Sequence, residues 1–268
     1  MESEPTSLDN GHGSIELESM QLERDGKVAR LTLNRPHLLN AMDYQATLDL
    51  NQIADAVRDD ANIRLLVIRG AGRAFCTGID LKQLSAGDTP IEYYERWDRA
   101  LRTLETMDKF VLSAIHGYAL GGGLQLALAS DVRIATDDAA LGLPAINESI
   151  VPGLSTFRLP RFVGWGRAKW MVLTGENVDG WTAQEIGLVD RVVEADGLDA
   201  AVDETVDQLL TTCSMGARQS KILLGLYPDL SHHEFFEEYL RRQELCIASA
   251  DHEEARLAYR EGRQPLWG

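Results

Sequence analysis

The sequence predicts an α/β fold in which a sheet of mainly parallel strands is followed by a helical C-terminal subdomain. Two observations lead to this prediction. Short apolar runs alternate with stretches whose apolar residues recur at helical spacing, and the strand pattern stops near residue 200. Repeated strand–helix–strand units imply parallel pairing through right-handed crossovers. The leucine- and charge-rich remainder has no strand pattern, so it is expected to be helical.

The chain begins with β structure and then alternates. Residues 15–34 alternate apolar and polar positions on both sides of an Asp-Gly turn, which is typical of a hairpin. A helix is predicted over residues 43–58, and the apolar run 64–70 is typical of a buried parallel strand. The same reasoning assigns the next elements to helix 90–107, strand 110–115, helix 123–129 and strand 131–135.

These patterns also set the predicted domain boundaries. The polar, acidic residues 1–13 are expected to be a disordered leader. Residues 14–199 are expected to form the α/β core, and residues 200–268 a subdomain of Leu-rich helices.

Composition excludes several partners. The chain has 268 residues, with 26 Lys and Arg against 42 Asp and Glu, giving a formal net charge of −16. Such a surface repels nucleic acid and anionic membranes, so neither is expected as a partner. No apolar run approaches the roughly 18 to 20 residues that a membrane span requires. An anionic ligand must therefore find a local basic patch.

The cysteines indicate a reducing compartment. Cys76, Cys213 and Cys246 are odd in number and widely spaced, without a CxxC pair or a nearby ligand histidine. Neither a disulfide framework nor a metal site is expected. Because the N-terminus also lacks the basic start and apolar stretch of a secretory signal, a cytoplasmic location is predicted.

Two glycine-containing turns carry the chemistry. Residues 114–127 form a predicted strand that runs through Gly121, Gly122 and Gly123 directly into a helix, and residues 75–81 form a second turn about 40 residues earlier. Glycines let the backbone approach a ligand closely. The exposed N–H groups at a helix N-terminus favour an oxygen that gains negative charge.

These turns resemble the enoyl-CoA hydratase/isomerase, or crotonase, superfamily, and the resemblance extends across nearly the whole chain. It includes residues 34–42, 75–81, 115–127, 152–153, 158–161, 173–175 and 187–189. The resemblance implies a crotonase, ClpP-like spiral ββα core whose C-terminal helices assemble homotrimers, often paired into hexamers. It also implies an acyl-CoA thioester as ligand. Coenzyme A is then part of the substrate, and no separate cofactor is expected.

The resemblance assigns roles by position. The backbone N–H groups of Ile79 and Gly122 would be the oxyanion donors. The coenzyme A would lie along the loop 34–42 and the turn after Gly78, with candidate contacts at Arg35, His37, Leu38, Asp80, Leu81 and Lys82. Asp80 is also suited to capping the next helix. Tyr93, Tyr94 and Trp97 lie on the helix that covers the acyl group in relatives, and would suit a bulky or aromatic acyl chain.

Family hydratases use two glutamates as acid and base, and both positions differ in this chain. They hold Gln125, which cannot exchange a proton, and Ala145, which has no polar side-chain atom. Glu148 is a candidate substitute, because it would share a face with Ala145 if that segment is helical.

Three functions remain open at this point. The first is an acyl-CoA enzyme with hydratase- or isomerase-type chemistry, in which Glu148 is the acid/base. The second is a non-catalytic acyl-CoA carrier that kept the pocket and lost the acid/base pair. The third is a divergent acyl-CoA hydrolase or decarboxylase. Turnover of enoyl-CoAs, measured together with binding, discriminates among them.

Overall fold

A seven-stranded sheet organises the computed structural model, which describes residues 12–267. In spatial order its strands are β1 (His12–Glu16), β2 (Met20–Asp25), β3 (Val28–Leu33), β4 (Leu65–Gly70), β5 (Phe110–Ile115), β7 (Val132–Thr136) and β9 (Arg191–Val193). The pairs β1–β2 and β2–β3 are antiparallel, and all later pairs are parallel. A second sheet pairs β6 (Tyr118–Leu120) with β8 (Ala140–Gly142) in parallel. The predicted α/β fold with a parallel-rich sheet is confirmed.

Helices surround the sheet. They are α1 (Tyr44–Asp59), α2 (Leu81–Ser85), α3 (Ile91–Thr106), α4 (Gly122–Leu128), α5 (Ser155–Arg158), α6 (Pro160–Thr174), α7 (Gly180–Glu185), α8 (Leu198–Thr212), α9 (Met215–Leu226), α10 (His232–Ile247) and α11 (Ala250–Glu261). No helix within residues 12–267 is long and apolar enough to cross a membrane.

The central strands are buried on both faces. Leu66 and Ile68 of β4 belong to the larger core cluster, which also contains the buried faces of α1 and α3. Leu65 and Val67 point the other way, into a second cluster with α8. This two-sided burial explains why the run is continuously apolar rather than alternating. Burial of each such side chain contributes about 1.5–3 kcal/mol.

The N-terminal boundary differs from the prediction. Residues 1–11 of the predicted leader lie outside the described residues. His12 and Gly13, which were assigned to the leader, instead pair with Asp25 and Arg24 in the β1–β2 ladder. The strand therefore starts two residues before the predicted core boundary.

Candidate active site

The two glycine turns meet at the N-terminus of α4. Gly78 has φ +87°, and a methyl group built on its Cα would lie 2.5 Å from the amide nitrogen of Gly122 and 2.7 Å from the carbonyl oxygen of Leu120. A side chain cannot occupy that space, so glycine is required for the two turns to come this close.

This contact places two unpaired amides side by side. The amide of Met42 donates to the carbonyl of Gly78 (2.7 Å), and the amide of Asp80 donates to the carbonyl of Met42 (2.9 Å). The Ile79 N–H between them has no acceptor among residues 12–267. Gly122 is the first residue of α4, so its N–H has no acceptor within the helix. Both donors, and the positive end of a helix dipole, favour an oxygen that carries negative charge.

Cys76 supports this turn and does not react. Its thiol is fully buried and accepts a hydrogen bond from the amide of Gly78 at 3.3 Å. Burial raises the pKa of Cys76 to about 12, despite the opposing effect of that hydrogen bond. Because the thiolate is the nucleophilic form, the structure gives Cys76 a structural role.

A cavity of about 540 Å³ opens beside the paired amides. Ile79, Gly121 and Gly122 form part of its wall. The ring of Trp97 covers the turn, with a ring carbon 3.4 Å from the position of a methyl group built on Gly122. The remaining lining is mostly apolar and aromatic, and comprises Ile91, Tyr93, Tyr94, Ala145, Ile150, Val151, Pro152, Gly153 and Leu154, with the polar side chains of Asp98, Gln125 and Thr156.

The structure brings Gln125 and Ala145 into this cavity, but not Glu148. The Gln125 side chain packs against Gly153, where a built methyl group would lie 2.5 Å from Oε1. Its amide has no hydrogen-bond partner among the described residues and belongs to the cavity lining. Residues Pro144–Glu148 form a 3-10 helix. Glu148, its last residue, is half-buried and absent from the lining.

Arg35 is engaged within the protein. Its guanidinium pairs with Asp43 at 2.8 Å and Asp80 at 3.3 Å, and donates to the carbonyl of Ala41 at 2.6 Å. The positive charge of Arg35, a candidate coenzyme A contact, is therefore largely neutralised within the protein. Asp80 also caps α2 by accepting from the amide of Lys82 at 2.9 Å, as its position predicted.

The other predicted coenzyme A contacts lie on the surface. His37, Leu38, Leu81 and Lys82 are exposed. Lys82 has no acidic partner within residues 12–267 and is the free cation of this group. No cluster of three or more His, Cys, Asp or Glu side chains in that same range is arranged to hold a metal ion.

Sequence reasoning missed two residues. Asn40, 1% exposed, donates to the carbonyls of Ala71 and Ala74 and accepts from the amide of Arg35, which fastens the loop 34–42 to the neighbouring turn. Asp98 is a carboxylate in the cavity lining. Its helical spacing of four from Tyr94 was the available signal, because i and i+4 share a helix face.

Fold and site together define an α/β protein with two backbone donors beneath an aromatic cavity. The family model for enoyl-CoA hydratase/isomerase matches residues 23–268. The crotonyl-CoA hydratase of Syntrophomonas wolfei is 34% identical over 92% of this chain and 96% of its own. The (E)-benzylidenesuccinyl-CoA hydratase of Thauera aromatica is 34% identical over 92% of this chain and 97% of its own. The crystal structure of the enoyl-CoA hydratase from Bacillus anthracis superposes on this chain with a TM-score of 0.83, covering 96% of this chain and 99% of that one. The two sequences are 30% identical.

The chain therefore belongs to the enoyl-CoA hydratase/isomerase family. The family and the crotonase fold predicted from the sequence are confirmed.

Proposed function

We propose that this protein is an acyl-CoA enzyme that stabilises the enolate of a thioester, in hydratase- or isomerase-type chemistry. The unpaired amides of Ile79 and Gly122 beside the cavity carry this proposal. They are positioned to donate to the thioester oxygen as it gains charge. One such donor is typically worth about 3 kcal/mol in the transition state.

Acid–base catalysis in this chain departs from the two-glutamate scheme. Gln125 and Ala145 stand at the positions where the resemblance places the glutamates, so neither exchanges a proton. Positioned acid–base groups contribute about 10² to 10⁴ in rate, and this contribution is lost where both glutamates are replaced. The stabilisation by the two backbone donors is kept. Gln125, with its amide open to the cavity, is suited to orienting a water molecule or the acyl group. Glu148 would need movement of the turn that carries it to reach the thioester.

Coenzyme A is proposed to lie across the exposed surface formed by His37, Leu38, Leu81 and Lys82. Lys82 is the unpaired cation suited to a phosphate, while the two leucines offer an apolar surface for the pantetheine arm. No cofactor beyond the coenzyme A of the substrate is required for this chemistry.

A homotrimer, or a hexamer of paired trimers, is the proposed assembly. Large apolar side chains on α6 and α7 are exposed in the single chain, namely Trp165 (65%), Trp170 (55%), Leu173 (68%) and Trp181 (57%). Exposed patches of this kind are typical of subunit interfaces. Light scattering is expected to give three or six times the chain mass, and the Trp165→Glu variant is expected to have a lower mass.

The three unpaired cysteines support a cytoplasmic location.

Turnover and binding measured on the same preparation test the proposal. Crotonyl-CoA and cinnamoyl-CoA are incubated with the purified protein while loss of the conjugated thioester absorbance is followed, with calorimetry in parallel. Loss of absorbance supports the enzyme. Binding without any turnover across an enoyl-CoA panel would instead favour the carrier that Gln125 and Ala145 suggest. Absence of binding would refute the acyl-CoA site.

A further inference from the structure

Asp98 is a charged residue in an otherwise apolar part of the cavity. It follows Trp97, whose ring covers the oxyanion turn, and lies one helical turn after Tyr94. Within residues 12–267, it is the only carboxylate that lines this cavity. Its side chain is 36% exposed and belongs to the cavity lining, so it is not enclosed in the packed core.

A buried arginine holds Asp98 in place. The guanidinium of Arg158, 3% exposed, donates to Oδ1 of Asp98 at 2.9 Å and to both carboxylate oxygens of Glu105 at 2.6 and 3.1 Å. Burial by itself would lower the pKa of Arg158, but the hydrogen bonds and charges of Glu105 and Asp98 outweigh it and raise the pKa. Arg158 therefore stays charged. The second oxygen of Asp98, Oδ2, has no donor among the described residues.

The charge of Asp98 is balanced. Arg158 and Arg102 both approach Glu105, Arg102 also pairs with Asp229, and Arg161 lies within the field of Glu105 and Asp229. This chain of interactions thus contains three guanidinium groups and three carboxylates, of which only Arg158 contacts Asp98. Because the cluster carries no net charge, Oδ2 offers a hydrogen-bond acceptor rather than an attraction for a cation. A neutral donor such as a hydroxyl matches it better than an ammonium group.

The surrounding walls make that acceptor selective. Tyr94, Trp97 and Leu154 line the cavity with Asp98, so an acyl group that fills it removes water from Oδ2. An acyl group without a donor leaves Oδ2 without a hydrogen bond, and the loss of its water then disfavours binding. We propose that Asp98 makes the cavity selective for acyl thioesters whose acyl group carries a hydroxyl donor. This inference rests on the proposed acyl-CoA function.

Ligand pairs that differ by one hydroxyl test it. Dissociation constants of the full-length protein are measured by calorimetry for cinnamoyl-CoA and for its 3-hydroxy and 4-hydroxy derivatives. At least one hydroxylated thioester is expected to bind about tenfold more tightly, which corresponds to one added charge-assisted hydrogen bond. Asp98→Leu is expected to remove that preference. Glu95→Gln, a change at an exposed position of the same helix, is expected to keep it.

The outcomes separate this inference from the proposed function. If no thioester binds, the acyl-CoA site itself is wrong. Equal affinity for all three thioesters in the wild-type protein would overturn the role of Asp98, as would a preference that survives Asp98→Leu. Should that variant fail to fold, Asp98→Asn keeps one oxygen as the partner of Arg158 and replaces the other oxygen with an amide NH2, which donates rather than accepts. A reduced preference in Asp98→Asn supports the inference, and an unchanged one contradicts it.

Discussion

At the scale of single residues, the contact between Gly78 and Gly122 decides whether the site exists. Gly78 has a positive φ. A methyl group added to it would lie within 2.7 Å of backbone atoms of Leu120 and Gly122 in the other turn. Substitution must therefore separate the two turns and move one of the two amides proposed as oxyanion donors. The neighbouring residues have no freedom to absorb the change, because the amide and carbonyl of Met42 hold both sides of Ile79.

Gly78→Ala is expected to lower turnover about 10²- to 10³-fold, the cost of losing one oxyanion donor. Gly87→Ala is the matched control, since Gly87 also has positive φ (+76°) but nothing within 4 Å of the added methyl group. Enoyl-CoA turnover and thermal unfolding of both variants are the measurements. Equal loss of activity in the two variants would show that backbone strain, rather than separation of the turns, is responsible.

At the scale of elements, a buried lysine fixes α9 to the core. Lys221 is 7% exposed, and its ammonium donates to the carbonyls of Leu104 (2.9 Å) and Lys109 and pairs with Asp131 at 2.9 Å. Burial lowers the pKa of Lys221, although Asp131 opposes that shift. The lysine therefore joins the end of α3 and the start of β5 to the C-terminal helices.

Lys221→Met should destabilise the protein by about 2–4 kcal/mol, because it leaves two carbonyls and a carboxylate without their donor. Asp131→Asn should lower the free energy of unfolding less in the Lys221→Met variant than in the wild-type protein. The expected coupling energy between the two changes is about 1 kcal/mol. Urea unfolding of the two single variants and the double variant measures this cycle. Strict additivity would mean that the ion pair is not what holds α9.

A second element-scale prediction concerns pH. The pKa of Glu238 is lowered from its ordinary 4.5 to about 2. The hydrogen bond from Arg241 has the larger effect, and the hydrogen bond from Arg242 adds to it. Arg242 also donates to Gln219 of α9, so this cluster joins α10 to α9. A carboxyl group with a lowered folded-state pKa stabilises the fold above its unfolded pKa. That contribution is lost as the pH falls from 4.5 toward about 2.

Glu238→Gln is therefore expected to destabilise the protein at pH 7 by about 0.5 kcal/mol, within the usual range for an ion pair that solvent partly reaches. The difference from wild type should shrink as the pH is lowered below 4.5. Urea unfolding at pH 7, 5 and 3.5 follows it. A difference that stays constant with pH would assign the effect to packing instead.

At the scale of the whole molecule, charge sets the response to salt. With 42 acidic and 26 basic residues, the net charge of −16 destabilises the compact state through self-repulsion. Raising NaCl from about 0.05 M to about 1 M, where the screening length falls to roughly 3 Å, is expected to raise the melting temperature. Sorbitol at equal osmolality is the control. An equal rise in sorbitol would point to solvent exclusion rather than charge screening.

Much of this molecule is predictable from local pattern. The β2–β3 hairpin, the parallel strands β4, β5 and β7, and helices α1 and α3 follow from apolar periodicity, which records the faces that each element buries. The sequence pattern does not predict the strands β6 and β8 or the last helix, α11. Three residues are too few to show a period, and α11 is nearly continuous with the pattern of α10.

The sequence by itself determined the family and the two glycine turns, because glycine positions record backbone geometry directly. Only the tertiary structure decided which side chains share the cavity. Glu148 is three residues from Ala145 yet lies outside the lining, whereas Asp98, far away in the chain, lines it and is held by Arg158. Local spacing describes neighbours along one element. The direction in which a carboxylate points depends on partners from other elements, whose positions are set by packing of the whole core.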